Sequence, residues 1–170
     1  MINKFVKGKV YVFVDAANIL YSQQTLHWKV DYKKLKEYFK KECDLREIYF
    51  YTGRVGENHK QNAFLEKLKS CGYQIRAKEV KRIKLSRSVY EWKGNLDAEL
   101  IIDALKNSDN FDTCILMSGD SDFAPLLDEL KERKKRVIVM STKHHISREL
   151  IERAKYVNIK KLKGEICYNK

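Results

Sequence analysis

The chain has 170 residues, 44% of them hydrophobic, and carries 35 Lys and Arg against 23 Asp and Glu, a formal net charge of +12. That length is enough for one domain with a real core, and the charge favours a polyanionic partner over a cationic one. A single Pro and seven Gly argue against a long linker, and no apolar run approaches the roughly 20 residues that cross a bilayer; the N-terminal residues lack a secretory h-region, and four scattered cysteines without a CxxC pair fit reduced, mostly buried thiols in a cytoplasmic protein.

Residues 9–14 are short, β-branched and aromatic, and end at Asp15, which predicts a buried strand. Residues 16–22 suit a short helical turn. Asp31 is placed as the N-cap of a helix through about Glu42, with Leu35, Tyr38 and Phe39 on one face. A second strand is expected over 45–52, stopping at Gly53. A helix over 57–70, ended by Gly72, would turn Ala63, Phe64, Leu65 and Leu68 toward the core. Residues 73–80 read as a third strand. Residues 81–93 are basic and weakly alternating, so a hairpin and an irregular excursion both fit.

Helical spacing returns from Asn95 to about Lys106, and 112–118 is an uncharged strand after Asp112. A helix over 121–133, a strand over 136–140, a short helix over 147–153 and a last strand over 156–159 complete the series. Strands separated by helices imply βαβ units, a mainly parallel sheet and right-handed crossovers. In such a sheet the ligand site lies beyond the carboxyl ends of the strands, which puts Asp15 and Asp120 on one edge.

Asp15 closes a buried strand, where a carboxylate needs a cation or hydrogen-bond donors to offset its desolvation. A turn cap is its competing role, and Asn18 has the same two choices, cap or ligand contact. Asp120 and Asp122 stand at a strand-to-helix junction, Ser118-Gly119-Asp120-Ser121-Asp122. Either acid suits a helix start, but a pair at i and i+2 exceeds what a cap requires. Gly119 would let a ligand approach the backbone. Asp97 shares its helix start with Asn95, a rival N-cap. Asp103 falls about 120° around an ideal helix from Asp97, at the edge of any shared site, and a salt bridge with Lys106 or Lys93 competes for it. Clustered carboxylates without softer donors favour Mg²⁺ or Mn²⁺ over Zn²⁺. His144 and His145 are adjacent and read as loop residues rather than a zinc pair.

Two basic clusters add to the picture. Lys78, Lys81, Arg82, Lys84, Arg87 and Lys93 crowd one segment with Tyr90 and Trp92; Lys131, Arg133, Lys134, Lys135 and Arg136 form the other. In the first, the cations would grip a phosphate backbone, while either aromatic could stack on an unpaired base or simply pack.

Three segments carry a family resemblance: 11–19 (YVFVDAANI), 93–105 (KGNLDAELIIDAL) and 116–127 (LMSGDSDFAPLL). Together, in this order, they resemble the signatures of the NYN domain family of PIN-like ribonucleases, and in particular its standalone, LabA-like bacterial branch. The resemblance spans roughly residues 8–160. It implies a PIN-like, Rossmann-like three-layer α/β/α sandwich and metal-dependent RNA cleavage. The family's acidic cluster falls on Asp15, Asp97, Asp120 and Asp122, with Asp103 less surely part of it. Asn18 and Ser118 fall among the expected substrate contacts. Asp15, Asp97 and Asp120 would hold one Mg²⁺ or Mn²⁺, with Asp122 completing the site or anchoring a second ion. A module that binds RNA without cutting it, or regulates, is the alternative on the same fold. A phosphoacceptor domain fits less well, given the charge and the lack of an acidic pair after an early strand. A homodimer would be unsurprising for this fold class.

Overall fold

A computed structural model describes residues 1–54, 56–84, 90–93 and 96–168, with residues 81–84 and 90–93 described as backbone only. In chain order the elements are β1 (Lys9–Asp15), α1 (Ala16–Leu26), α2 (Tyr32–Glu42), β2 (Asp44–Arg54), α3 (His59–Ser70), β3 (Gln74–Glu79), β4 (Lys81–Lys84) and β5 (Tyr90–Lys93). There follow α4 (Asp97–Lys106), β6 (Thr113–Met117), α5 (Ala124–Glu132), β7 (Arg136–Ser141), α6 (Arg148–Arg153), β8 (Lys155–Asn158) and α7 (Lys163–Ile166).

Six strands form one sheet in the order β3-β2-β1-β6-β7-β8, and every neighbouring pair is parallel. Winding runs outward from β1 to β3, then restarts on the other side of β1 at β6. Because right-handed crossovers reverse face when the winding direction reverses, the helices divide between two layers. The side chains show this division. Val10, Val12 and Val14 of β1 pack with Ile19, Leu35, Phe39, Leu65 and Ile166 on one face. Tyr11 and Phe13 pack with Leu100, Ala104, Leu127, Leu130 and Leu150 on the other. Strands buried on both faces need continuous apolar runs, and residues 10–14 and 114–117 provide them.

The structure refines several expectations. α1 runs to Leu26, where His27 adopts a left-handed conformation, so it is a full helix and not a turn. β2 continues through Gly53, which still pairs with Lys78. In α3, Leu65 and Leu68 are buried, whereas Ala63 and Phe64 are exposed. The segment after β3 is a hairpin, with β4 and β5 antiparallel and Lys84 opposite Tyr90. The helix expected over 121–133 opens as a 3-10 turn, Ser121–Phe123, with Pro125 near the start of α5. The chain beyond 159 adds a 3-10 turn and α7. No helix among the described residues is long and apolar enough to cross a membrane. The four cysteines are unpaired, and only Cys114 is fully buried.

Candidate functional site

The strand order reverses between β1 and β6, which opens a crevice at their carboxyl ends. Asp15 ends β1 and is the N-cap of α1. Its Oδ1 accepts from the backbone N–H groups of Ala17 (3.1 Å) and Asn18 (3.3 Å), and its Oδ2 accepts from the Ser118 hydroxyl at 2.8 Å. Asp15 is therefore the helix cap, and it also lines the crevice. Burial pushes its carboxyl above the ordinary range, and the Asp97 charge acts in the same direction, against the hydrogen bonds.

Ser118 is fully buried just past β6. Its hydroxyl also receives the Asp120 N–H at 3.3 Å, so one side chain joins the ends of both central strands. Asp120 in turn accepts the Asp122 N–H at 3.0 Å, capping the 3-10 turn. Gly119 makes close backbone contact, but with the protein itself: a Cβ there would overlap the His145 carbonyl, and its own carbonyl accepts from Ser147 N–H at 2.8 Å. His145 lies in that loop, its Nε2 2.6 Å from the Thr25 hydroxyl. Asn18 Oδ1 accepts from Ser141 at 3.2 Å.

Asp97 is the first residue of α4. One carboxylate oxygen from each of Asp97, Asp120 and Asp122 lies within 4.8 Å of the others. Asp15 stands outside this trio, held by its hydrogen bonds, so the four acids expected together form three plus a neighbour. Asp103 is placed elsewhere: it accepts from Tyr51 (3.0 Å) and pairs with Arg76 (2.9 Å), neither of them the lysines expected. Lys78 pairs with Glu99 at 2.8 Å. The side chains of Lys81, Arg82, Lys84, Tyr90, Trp92 and Lys93 lie outside the described residues, as do Arg87 and Asn95. The second basic cluster is at the opposite end of the sheet, where Arg133 binds Glu129, Lys135 the Phe111 carbonyl and Arg136 the Phe5 carbonyl.

Asp15, Asn18, Asp97 and Asp120 line a cleft of about 1180 Å³. Tyr21, Phe64 and Tyr168 line it as well, and sequence reasoning missed all three. Tyr21 was within reach, because it follows Asn18 by three residues in α1. Tyr168 gave no periodic signal.

This architecture defines a three-layer α/β protein with an acidic site at the switch point of a parallel sheet. The NYN domain family model matches residues 9–160, and the chain belongs to that family, whose members are typically nucleases. It is 32% identical over 150 residues to the Low amplitude and bright protein LabA of Synechococcus elongatus, covering 86% of this chain and 80% of that one. A crystal structure of a protein of unknown function from Vibrio parahaemolyticus shares the fold, with a TM-score of 0.78, 24% identity, and coverage of 95% and 97% of the two chains.

Proposed function

We propose that this chain is a divalent-metal-dependent ribonuclease acting at the Asp97, Asp120 and Asp122 trio. The observation that carries the reading is the convergence of three carboxylates at the carboxyl edge of a NYN fold, beside a wide cleft, on a chain of net charge +12. The donor set fits the metal: all three ligands are hard oxygens, suited to Mg²⁺ or Mn²⁺ and not to softer ions. A cation held there would lower the pKa of a bound water and offset charge accumulating on the reacting phosphate.

The rest of the chemistry belongs to the protein. The Asp120 carboxylate is held by the Asp122 N–H in the capped turn, so its geometry is set before substrate arrives. Ser118 ties Asp15 to the Asp120 loop and thereby positions both ends of the crevice. Asp15, raised in pKa by burial, faces the same cleft and adds negative charge that a bound cation would offset. Asn18 supplies a polar amide on the same wall. Lys78 and the cations of the β4–β5 hairpin are assigned to the phosphate backbone.

The test is incubation of labelled single-stranded and structured RNA with Mn²⁺, Mg²⁺ or EDTA, using wild type and Asp120→Asn. Cleavage that needs metal and falls at least about 100-fold in the variant is expected. RNA bound but uncut in every metal would transfer the chain to the non-catalytic alternative.

A further inference from the structure

Seven large apolar side chains are well exposed among the described residues, and four of them, Leu20, Tyr21, Phe64 and Tyr168, line the cleft that holds Asp97 and Asp120. Tyr21 is 58% exposed and Tyr168 54%. Phe64 is set edge-on against Tyr32 and Phe50 and so has little freedom to turn away. Tyr21 follows Asn18 by three residues, which puts the two on one face of α1. Tyr168 arrives from the far end of the chain. Cys167 bridges to Val30, the Tyr168 N–H donates to the Lys29 carbonyl at 2.9 Å, and Lys34 donates to the Cys167 carbonyl at 3.1 Å. The C-terminal segment is thereby strapped across the α1–α2 loop with its last described aromatic in the cleft.

We propose that Tyr21 and Tyr168, backed by Phe64, form a stacking subsite for an unpaired nucleobase. This rests on the ribonuclease reading in one respect: a phosphodiester at the acidic trio carries a base on either side, and these rings are the exposed aromatic surface described in the same cleft. Charge supports the choice of occupant, since a chain of +12 with Lys29 on the cleft wall attracts a polyanion. Every base offers a π-face, so the subsite tolerates any sequence, but it accepts only bases freed from a duplex.

The experiment measures binding in EDTA by fluorescence anisotropy, with a labelled ten-nucleotide single-stranded RNA and an abasic strand of equal length and charge. Wild type should bind the base-bearing strand more tightly. Tyr21→Ala and Tyr168→Ala should each lower that affinity about five- to a hundred-fold while leaving the abasic strand nearly unchanged, and Tyr21→Phe should restore it. Both tyrosines are more than half exposed, so the variants should fold, and their melting curves are the check. Equal binding of the two strands by wild type, no binding of either, or an alanine effect shared equally by both strands overturns the subsite. Cleavage is scored separately with Mn²⁺: base-dependent binding without cleavage defeats the nuclease reading alone, and cleavage with base-independent binding defeats the subsite alone.

Discussion

Gly119 sits where β6 turns toward the acidic trio, and the His145 carbonyl occupies the space a methyl group would need. That carbonyl is backbone and cannot swing aside as the nearby Ser141 hydroxyl could. Gly119→Ala should therefore destabilise the protein by about 1–3 kcal/mol, read from urea or thermal unfolding, and also displace Asp120. A melting curve matching wild type would show that the 142–147 loop yields freely. The sequence pointed to Gly119 as a place of close approach but assigned the approach to a ligand, because a segment 26 residues away in the chain leaves no local signal. Asp15 and Asp120 were legible for the opposite reason: each directly follows an apolar run, and their cap geometry is set by adjacent residues. Asp103 was ambiguous because its partners, Tyr51 and Arg76, come from two other strands.

Helix α2 was fully readable, since its Asp31 cap and its Leu35, Tyr38 and Phe39 face are all local features. α7 was not: its lysine-rich surroundings hide Leu162 and Ile166, which become core only once α2 lies beside them. α4 is tied to the sheet through Asp103, which joins it to β2 by Tyr51 and to β3 by Arg76. Burial raises the Tyr51 pKa above its ordinary value, and the Asp103 charge raises it further. The folded state thus favours the protonated phenol. Its contribution to stability is complete below the unfolded pKa of about 10 and is lost as pH rises above it. Tyr51→Phe should cost about 1–2 kcal/mol near neutrality and give a shallower decline in melting temperature above about pH 10. Parallel alkaline declines in wild type and variant would remove Tyr51 from the account.

At the scale of the whole molecule, three carboxylates within 4.8 Å repel one another, so an ion that binds the trio stabilises the folded state selectively. Mn²⁺ at about 100 times its dissociation constant should add roughly 2.7 kcal/mol, a rise of about 5–10 °C in melting temperature for a domain of this size. Asp122→Asn should remove most of that rise. An equal rise in the variant would place the ion elsewhere. The layered fold and the shared strand edge were legible because alternating strands and helices admit few topologies. The aromatic wall of the cleft was not, because it joins α1, α3 and the C-terminal segment, three stretches that meet only in the folded chain.

The double duty of Asp15 also bears on how inactive variants are read. Alanine there removes a helix cap, at a cost of about 1 kcal/mol, as well as a carboxylate from the cleft, so lost activity in Asp15→Ala does not separate the two effects. Asn keeps a side-chain oxygen for the α1 amides and ranks with Asp as a cap. Comparing the two replacements, rather than either with wild type, separates what this carboxylate does for the proposed cleavage from what it does for the scaffold.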